Sequence, residues 1–127
     1  KHSDKSILAD IPAAFPALVR AQKLQKRAAR VGFDWPNTED VYAKIDEEYA
    51  EVKAAETASD RAEEIGDLLF AVVNLARHYR VDAEEALRAT NRKFERRFRH
   101  IEQNIGKPIQ EAELQEMEAL WQAAKIA

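Results

Sequence analysis

The chain has 127 residues, 20 of them basic and 23 acidic, for a formal net charge of −3 at pH 7. That balance argues against bulk electrostatic binding of nucleic acid, and the absence of Cys removes disulfide, zinc-thiolate and thiol-nucleophile chemistry. The lack of Cys is compatible with a reducing cytoplasm, the compartment expected here. The longest apolar run, Leu68 to Val73, is far short of the roughly 18 residues a membrane span needs, so no membrane partner is expected.

Gly (3) and Pro (4) are scarce while Ala, Glu, Leu and Arg are common, which is a helical composition. Residues 1–10 read as a linker or flexible lead-in, and residues 11–127 as one domain. A first helix is predicted from near Pro12 or Pro16, since proline is tolerated in a first turn, to about Arg30. Its face carries Leu18, Ala21, Leu24, Gln25 and Ala28. The following V-G-F-D-W-P-N reads as a loop whose Phe33 and Trp35 should be anchored. Thr38 caps a second helix, with Glu39 and Asp40 in its first turn, running to about Ala55.

Thr57, Ser59 and Asp60 form a break before a third helix from about Arg61 to Tyr79. Asp82 and Glu85 have capping-box spacing and start a fourth helix that ends near Asn104. I-G-K-P-I is a turn, and a fifth helix from about Glu111 to Lys125 carries Leu114, Met117, Leu120 and Trp121 on one face. No segment alternates as a strand does. The expected fold is all-α, an antiparallel bundle of about five helices with short connections.

The second helix contains a misfit. A helix turns about 100° per residue, so residues three or four apart share a face. Val41, Ile45 and Val52 mark an apolar stripe, and Glu48 falls in line with them. Glu51 stands one turn beyond it. On the third helix Glu64 and Asp67 repeat the three-residue spacing and flank Leu68, Ala71 and Leu75. Four carboxylates facing one another across a helix contact would repel and be costly to desolvate. Raised pKa values or bound cations would relieve that. Oxygen ligands without His or Cys favour a hard ion, Mg²⁺ or Mn²⁺. Alone, an E-x-x-E is an ordinary solvated face; two such pairs in apolar register on consecutive helices shift the balance toward a site. Gly66 sits inside the third helix, where it costs about 1 kcal/mol against Ala; close backbone approach is one reason for it and a tolerated defect the other.

K-x-x-E-E-x-x-E at Lys44 to Glu51, followed by E-E-x-G-D at Glu63 to Asp67, resembles the signature of the MazG family, all-α nucleoside triphosphate pyrophosphohydrolases. A-Q-K-L-Q-K-R-A-A-R-V-G-F-D-W before it, and G-D-L-L-F-A-V-V-N-L-A-R-H and T-N-R-K-F-E-R-R-F-R after it, extend the likeness from about Ile11 to Lys125. The resemblance implies metal ligation by Glu48, Glu51, Glu64 and Asp67. It implies binding of a triphosphate such as ATP by Lys44, Ile45, Asp46, Glu47 and Glu48, by Asp60, Arg61, Ala62 and Glu63, and by Lys93, Arg97, Trp121 and Lys125. Many members carry two modules in tandem, and this chain is similar to the C-terminal, active one; an N-terminal module would then be missing before Lys1.

Lys93 and Arg97 share a helix face. They are surface charges on their own and a triphosphate clamp in the light of the resemblance; Arg92, Arg96 and Arg99 read as solvated. Trp121, one turn from Lys125, becomes a base-side or ribose-side contact. His78 and His100 read as structural or exposed. The expected reaction is hydrolysis to nucleoside monophosphate and pyrophosphate by water attack at the α-phosphorus, with Glu47 or Glu63 orienting or deprotonating the water. The rival expectation is a non-catalytic helical dimerisation or regulatory module of a larger MazG-like protein. A homodimer is expected on either reading.

Overall fold

The computed structural model describes residues 5–126, so residues 1–4 of the expected lead-in and Ala127 lie outside the described residues. Five helices follow one another: α1 (Ala17–Ala29), α2 (Thr38–Ala54), α3 (Ala58–His78), α4 (Ala83–Asn104) and α5 (Leu114–Lys125), with a 3₁₀ turn at Ile109–Glu111. No strand occurs among the described residues, and the all-α expectation holds. No described helix is long and apolar enough to cross a membrane.

The chain divides into two compact units, one through Glu84 and one from Glu85 onward. In the first, α2 and α3 pack against each other as a hairpin, and α1 packs on α3. Val41, Ala71 and Val73 are buried there together with Ile11. The apolar stripe predicted on α2 is therefore the inward face.

The helix ends differ from the expected ones for reasons of capping. Asn37, not Thr38, caps α2: its extended backbone lets its side-chain oxygen accept from the Asp40 amide. Thr57 does the same for Asp60, so α3 starts at Ala58 rather than Arg61. Pro16 stands at the N-cap of α1. α5 begins only at Leu114, because Glu113 and Glu116 form a reciprocal capping box beyond the 3₁₀ turn. Leu114 is consequently exposed rather than part of the inner face.

Two helix ends set the connections around the first unit. After α1 the Phe33 amide donates to the Ala28 carbonyl and the Gly32 amide to the Ala29 carbonyl. This Schellman pattern needs a left-handed residue, and Gly32 supplies it with φ +91°. After α3 the same pattern recurs, with Val81 donating to Ala76 and Arg80 to Arg77; here Arg80 itself takes φ +59°. Gln22 then ties this corner to α1: its amide donates to the Val81 carbonyl (2.7 Å) and accepts from the Ala83 amide (3.0 Å).

Residues 6–10 form turns, and Arg27 of α1 donates to the carbonyls of Ile7 and Ala9 (3.1 and 2.7 Å). Gly66 is exposed, and a Cβ placed there would meet nothing within 4 Å among the described residues. Close backbone approach does not account for it.

In the second unit Phe94 stacks on Phe98 (centroids 6.0 Å apart) and tilts against Trp121 (5.5 Å). Lys107 in the intervening turn pairs with Glu116 (2.9 Å).

Candidate metal centre and adjoining cavity

α2 and α3 bring Glu48, Glu64 and Asp67 together, with one carboxylate oxygen from each lying within 4.8 Å of the others. Glu48 is only 8% exposed, which is the burial its register predicted. Glu64 is half-buried and Asp67 exposed, so the group opens from α2 outward. Glu51 stands outside this group of three; it is exposed and lines a smaller hollow with Asp60 and Glu64.

The electrostatics match such a cluster. Partial desolvation pushes the Glu64 carboxyl above the usual range, and the charges of Glu51, Asp67, Glu48 and Glu63 push it further. Its ionised form is therefore costly in the protein alone. A divalent cation reverses that sign, because it favours the ionised carboxylates. The donor set is all oxygen and fits a hard cation.

The one cation held against Glu48 in the described structure is the Lys44 ammonium, 3.2 Å from Glu48 and 3.4 Å from Glu47. The Glu48 bond, outweighing partial burial, raises the pKa of Lys44.

The remaining residues named from sequence fall in both units. Ile45 is half-buried, while Asp46 and Glu47 are exposed on α2. Asp60, Arg61, Ala62 and Glu63 are exposed in the first turns of α3, where Arg61 donates to the Ala55 carbonyl (3.2 Å). Lys93, Arg97, Trp121 and Lys125 belong to the second unit. There the Arg97 guanidinium lies over the Trp121 ring, 5.4 Å from its centroid, while Lys93 and Lys125 are exposed.

Beside the carboxylates the first unit holds a cavity of about 720 Å³. Glu48 and Asp67 line it together with Gln25, Phe33, Trp35 and Asn74. The sequence signal for Gln25 was the one that marked Glu48, a polar residue inside an apolar stripe, yet only Glu48 drew a functional reading.

The wall carrying Phe33 and Trp35 is fastened in an unexpected way. Their side chains remain 81% and 45% exposed, so burial of the aromatic rings is not the anchor. Asp34 between them is: its Oδ1 accepts from Arg77 Nη2 and contacts His78 Nε2 (2.9 Å), both on α3. Burial pushes the Asp34 carboxyl up, but the bonds and charges of Arg77 and His78 outweigh it and hold the carboxyl below its usual value.

A helical hairpin presenting converging carboxylates that could hold a cation marks the class of this all-α domain. The family model described as MazG nucleotide pyrophosphohydrolase domain matches residues 38–102, half of the chain, and the protein belongs to that family. It is similar to a nucleoside triphosphate pyrophosphohydrolase of Escherichia coli K12, 50% identical over 94% of this chain and 49% of that protein. It is also similar to the nucleoside triphosphate pyrophosphohydrolase/pyrophosphatase MazG of Thermotoga maritima, 42% identical over 94% of this chain and 48% of that protein. A Bacillus subtilis protein, YabN, is 44% identical over 97% of this chain and 27% of its own length. The chain thus spans about half the length of the first two relatives.

Proposed function

We propose that residues 11–127 are a catalytic module that hydrolyses nucleoside triphosphates to nucleoside monophosphate and pyrophosphate in the cytoplasm. The observation that carries this reading is the convergence of Glu48, Glu64 and Asp67 in a chain of this family. Those three, with Glu51, would hold Mg²⁺, or Mn²⁺ in its place. Bound there, the ion would lower the pKa of water, orient phosphates and offset charge on the leaving pyrophosphate.

The chain's own residues do the rest. Glu47 and Glu63, exposed at the edge of the cluster, orient the attacking water and take its proton. The water oxygen bonds to the α-phosphorus, the bond from that phosphorus to the bridging oxygen breaks, and pyrophosphate leaves. Lys44 to Asp46 and Asp60 to Ala62 border the phosphates, with the Lys44 ammonium able to pair with their oxygens.

Protein incubated with Mg²⁺ and mixed nucleoside triphosphates should release pyrophosphate. Orthophosphate as first product would overturn the reading.

We also infer a homodimer. Ile65, Leu69 and Val72 leave α3 with side chains 42–55% exposed, an apolar face that a second copy would cover. Light scattering at micromolar protein should give twice the chain mass; a monomer mass contradicts the dimer.

A further inference from the structure

Glu48 already has a cation of its own. Its side chain is only 11% exposed, and the Lys44 ammonium lies 3.2 Å from its Oε2. Helix spacing alone produces this contact, since residues four apart share a face. Lys44 also lies 3.4 Å from Glu47 Oε2, on a side chain that is 61% exposed. One ammonium therefore spans an inner carboxylate and an outer one. The outer partner lets it leave Glu48 while staying paired on the same helix.

The Glu48 carboxylate also belongs to the group it forms with Glu64 and Asp67, and Lys44 lines the cavity beside Glu48 and Asp67. A divalent ion held by that group and the Lys44 ammonium would be neighbours around one carboxylate. Two positive charges so placed repel, and the repulsion is strong where the carboxylate is shielded from water. It acts whichever Glu48 oxygen the ion takes. Loss of the ammonium would have the opposite cost, an inner carboxylate left unpaired beside two other acids. Lys44 thus does two opposed things: it stabilises the hairpin, and it weakens the hold on the ion.

We infer that Lys44 is an exchangeable counter-ion of the carboxylate group: it neutralises Glu48, gives way to the divalent ion, and turns outward, where its charge serves the phosphates. The inference rests on the proposed reading of Glu48 as a ligand. Binding of ion and nucleotide is then coupled through one side chain. Pushed off Glu48 by the ion, Lys44 becomes available to phosphate. Drawn outward by phosphate, it leaves Glu48 to the ion. The coupling is the same in both directions, as linked equilibria require.

The test removes the charge with Lys44→Met and keeps it with Lys44→Arg. Titration calorimetry with Mn²⁺ alone should show binding about tenfold tighter in Lys44→Met than in the wild type, and near the wild-type value in Lys44→Arg. In EDTA, Lys44→Met should melt below the wild type, and at equal free Mg²⁺ it should gain more in melting temperature. Its KM for nucleoside triphosphate at saturating Mg²⁺ should rise about tenfold. A tighter ion with a weaker nucleotide is a crossed effect that a side chain with one role does not give.

Equal or weaker Mn²⁺ binding in Lys44→Met, or none to either protein, overturns the inference, and so does an unchanged KM. Lys44→Arg binding Mn²⁺ as tightly as Lys44→Met overturns it too, because charge would then not be the cause. Pyrophosphate release by the wild type with equal Mn²⁺ affinities strikes the counter-ion and leaves the hydrolase reading standing. Tighter Mn²⁺ binding in Lys44→Met, with no pyrophosphate released by the wild type, keeps Lys44 as counter-ion and removes the hydrolase reading.

Discussion

Glu48→Gln should lower pyrophosphate release by about 10²–10³-fold while leaving the helical circular dichroism unchanged. The side chain keeps its volume, so the packing around Val41 is retained, but the buried member of the carboxylate group loses its charge. A ligand that binds only the folded state stabilises it by about 2.7 kcal/mol at one hundred times its Kd. Saturating Mg²⁺ should accordingly raise the wild-type melting temperature by roughly 8–13 °C, scaled for a chain of this size, and raise that of Glu48→Gln far less. Neutralising Glu48 also removes one of the charges that burden Glu64, so the variant should be no less stable than the wild type without metal once the lost bond to Lys44 is allowed for. Full activity with an unchanged Mg²⁺ response would exclude Glu48 as a ligand; a non-catalytic module would show neither activity nor a Mg²⁺ effect in the wild type.

Asp34→Ala should lower stability by about 2 kcal/mol and the melting temperature by roughly 6–10 °C. The carboxylate is the shared acceptor for two half-buried donors, Arg77 and His78, 43 and 44 residues along the chain. Removing it leaves a guanidinium and an imidazole facing each other. The folded protein holds this carboxyl below its ordinary pKa of about 3.8. The charged form is thus favoured by folding, and its contribution is complete above the ordinary value and lost as pH falls through the lowered one. The gap in melting temperature between wild type and Asp34→Asn should close as pH falls below about 4. A gap that widens in acid would mean that another group sets the stability of this loop.

Helix content and the register of α2 were legible in the sequence because they depend on spacing alone. Val41 and Glu48 share a face wherever that segment is helical, and Val41 is buried as the stripe required. Helix starts were less legible. Asn37 and Thr38, or Thr57 and the Ser59–Asp60 pair, are all good caps by composition, and backbone geometry chooses among them. The Glu113 cap was the hardest to foresee, since it works through reciprocity with Glu116 rather than through a favoured residue type.

The candidate site divides in the same way. The acidic pairs could be read from one helix at a time. The Asp34 anchor and the bond from the Gln25 amide to the Phe70 carbonyl could not, because each depends on which turn of α3 lies opposite. Gln25 looked like a neutral member of the α1 face until Phe70 was placed against it.

The turn after α1 has one further consequence. Gly32 fixes the direction of the backbone, Asp34 fastens it to α3, and the Phe33 side chain between them contributes almost nothing to either, the residue being four-fifths exposed. The fold and the lining of the cavity are thereby uncoupled at that position. Side chain 33 is a replaceable tile on a fixed frame, and a protein of this design can vary what its cavity admits without having to refit its core.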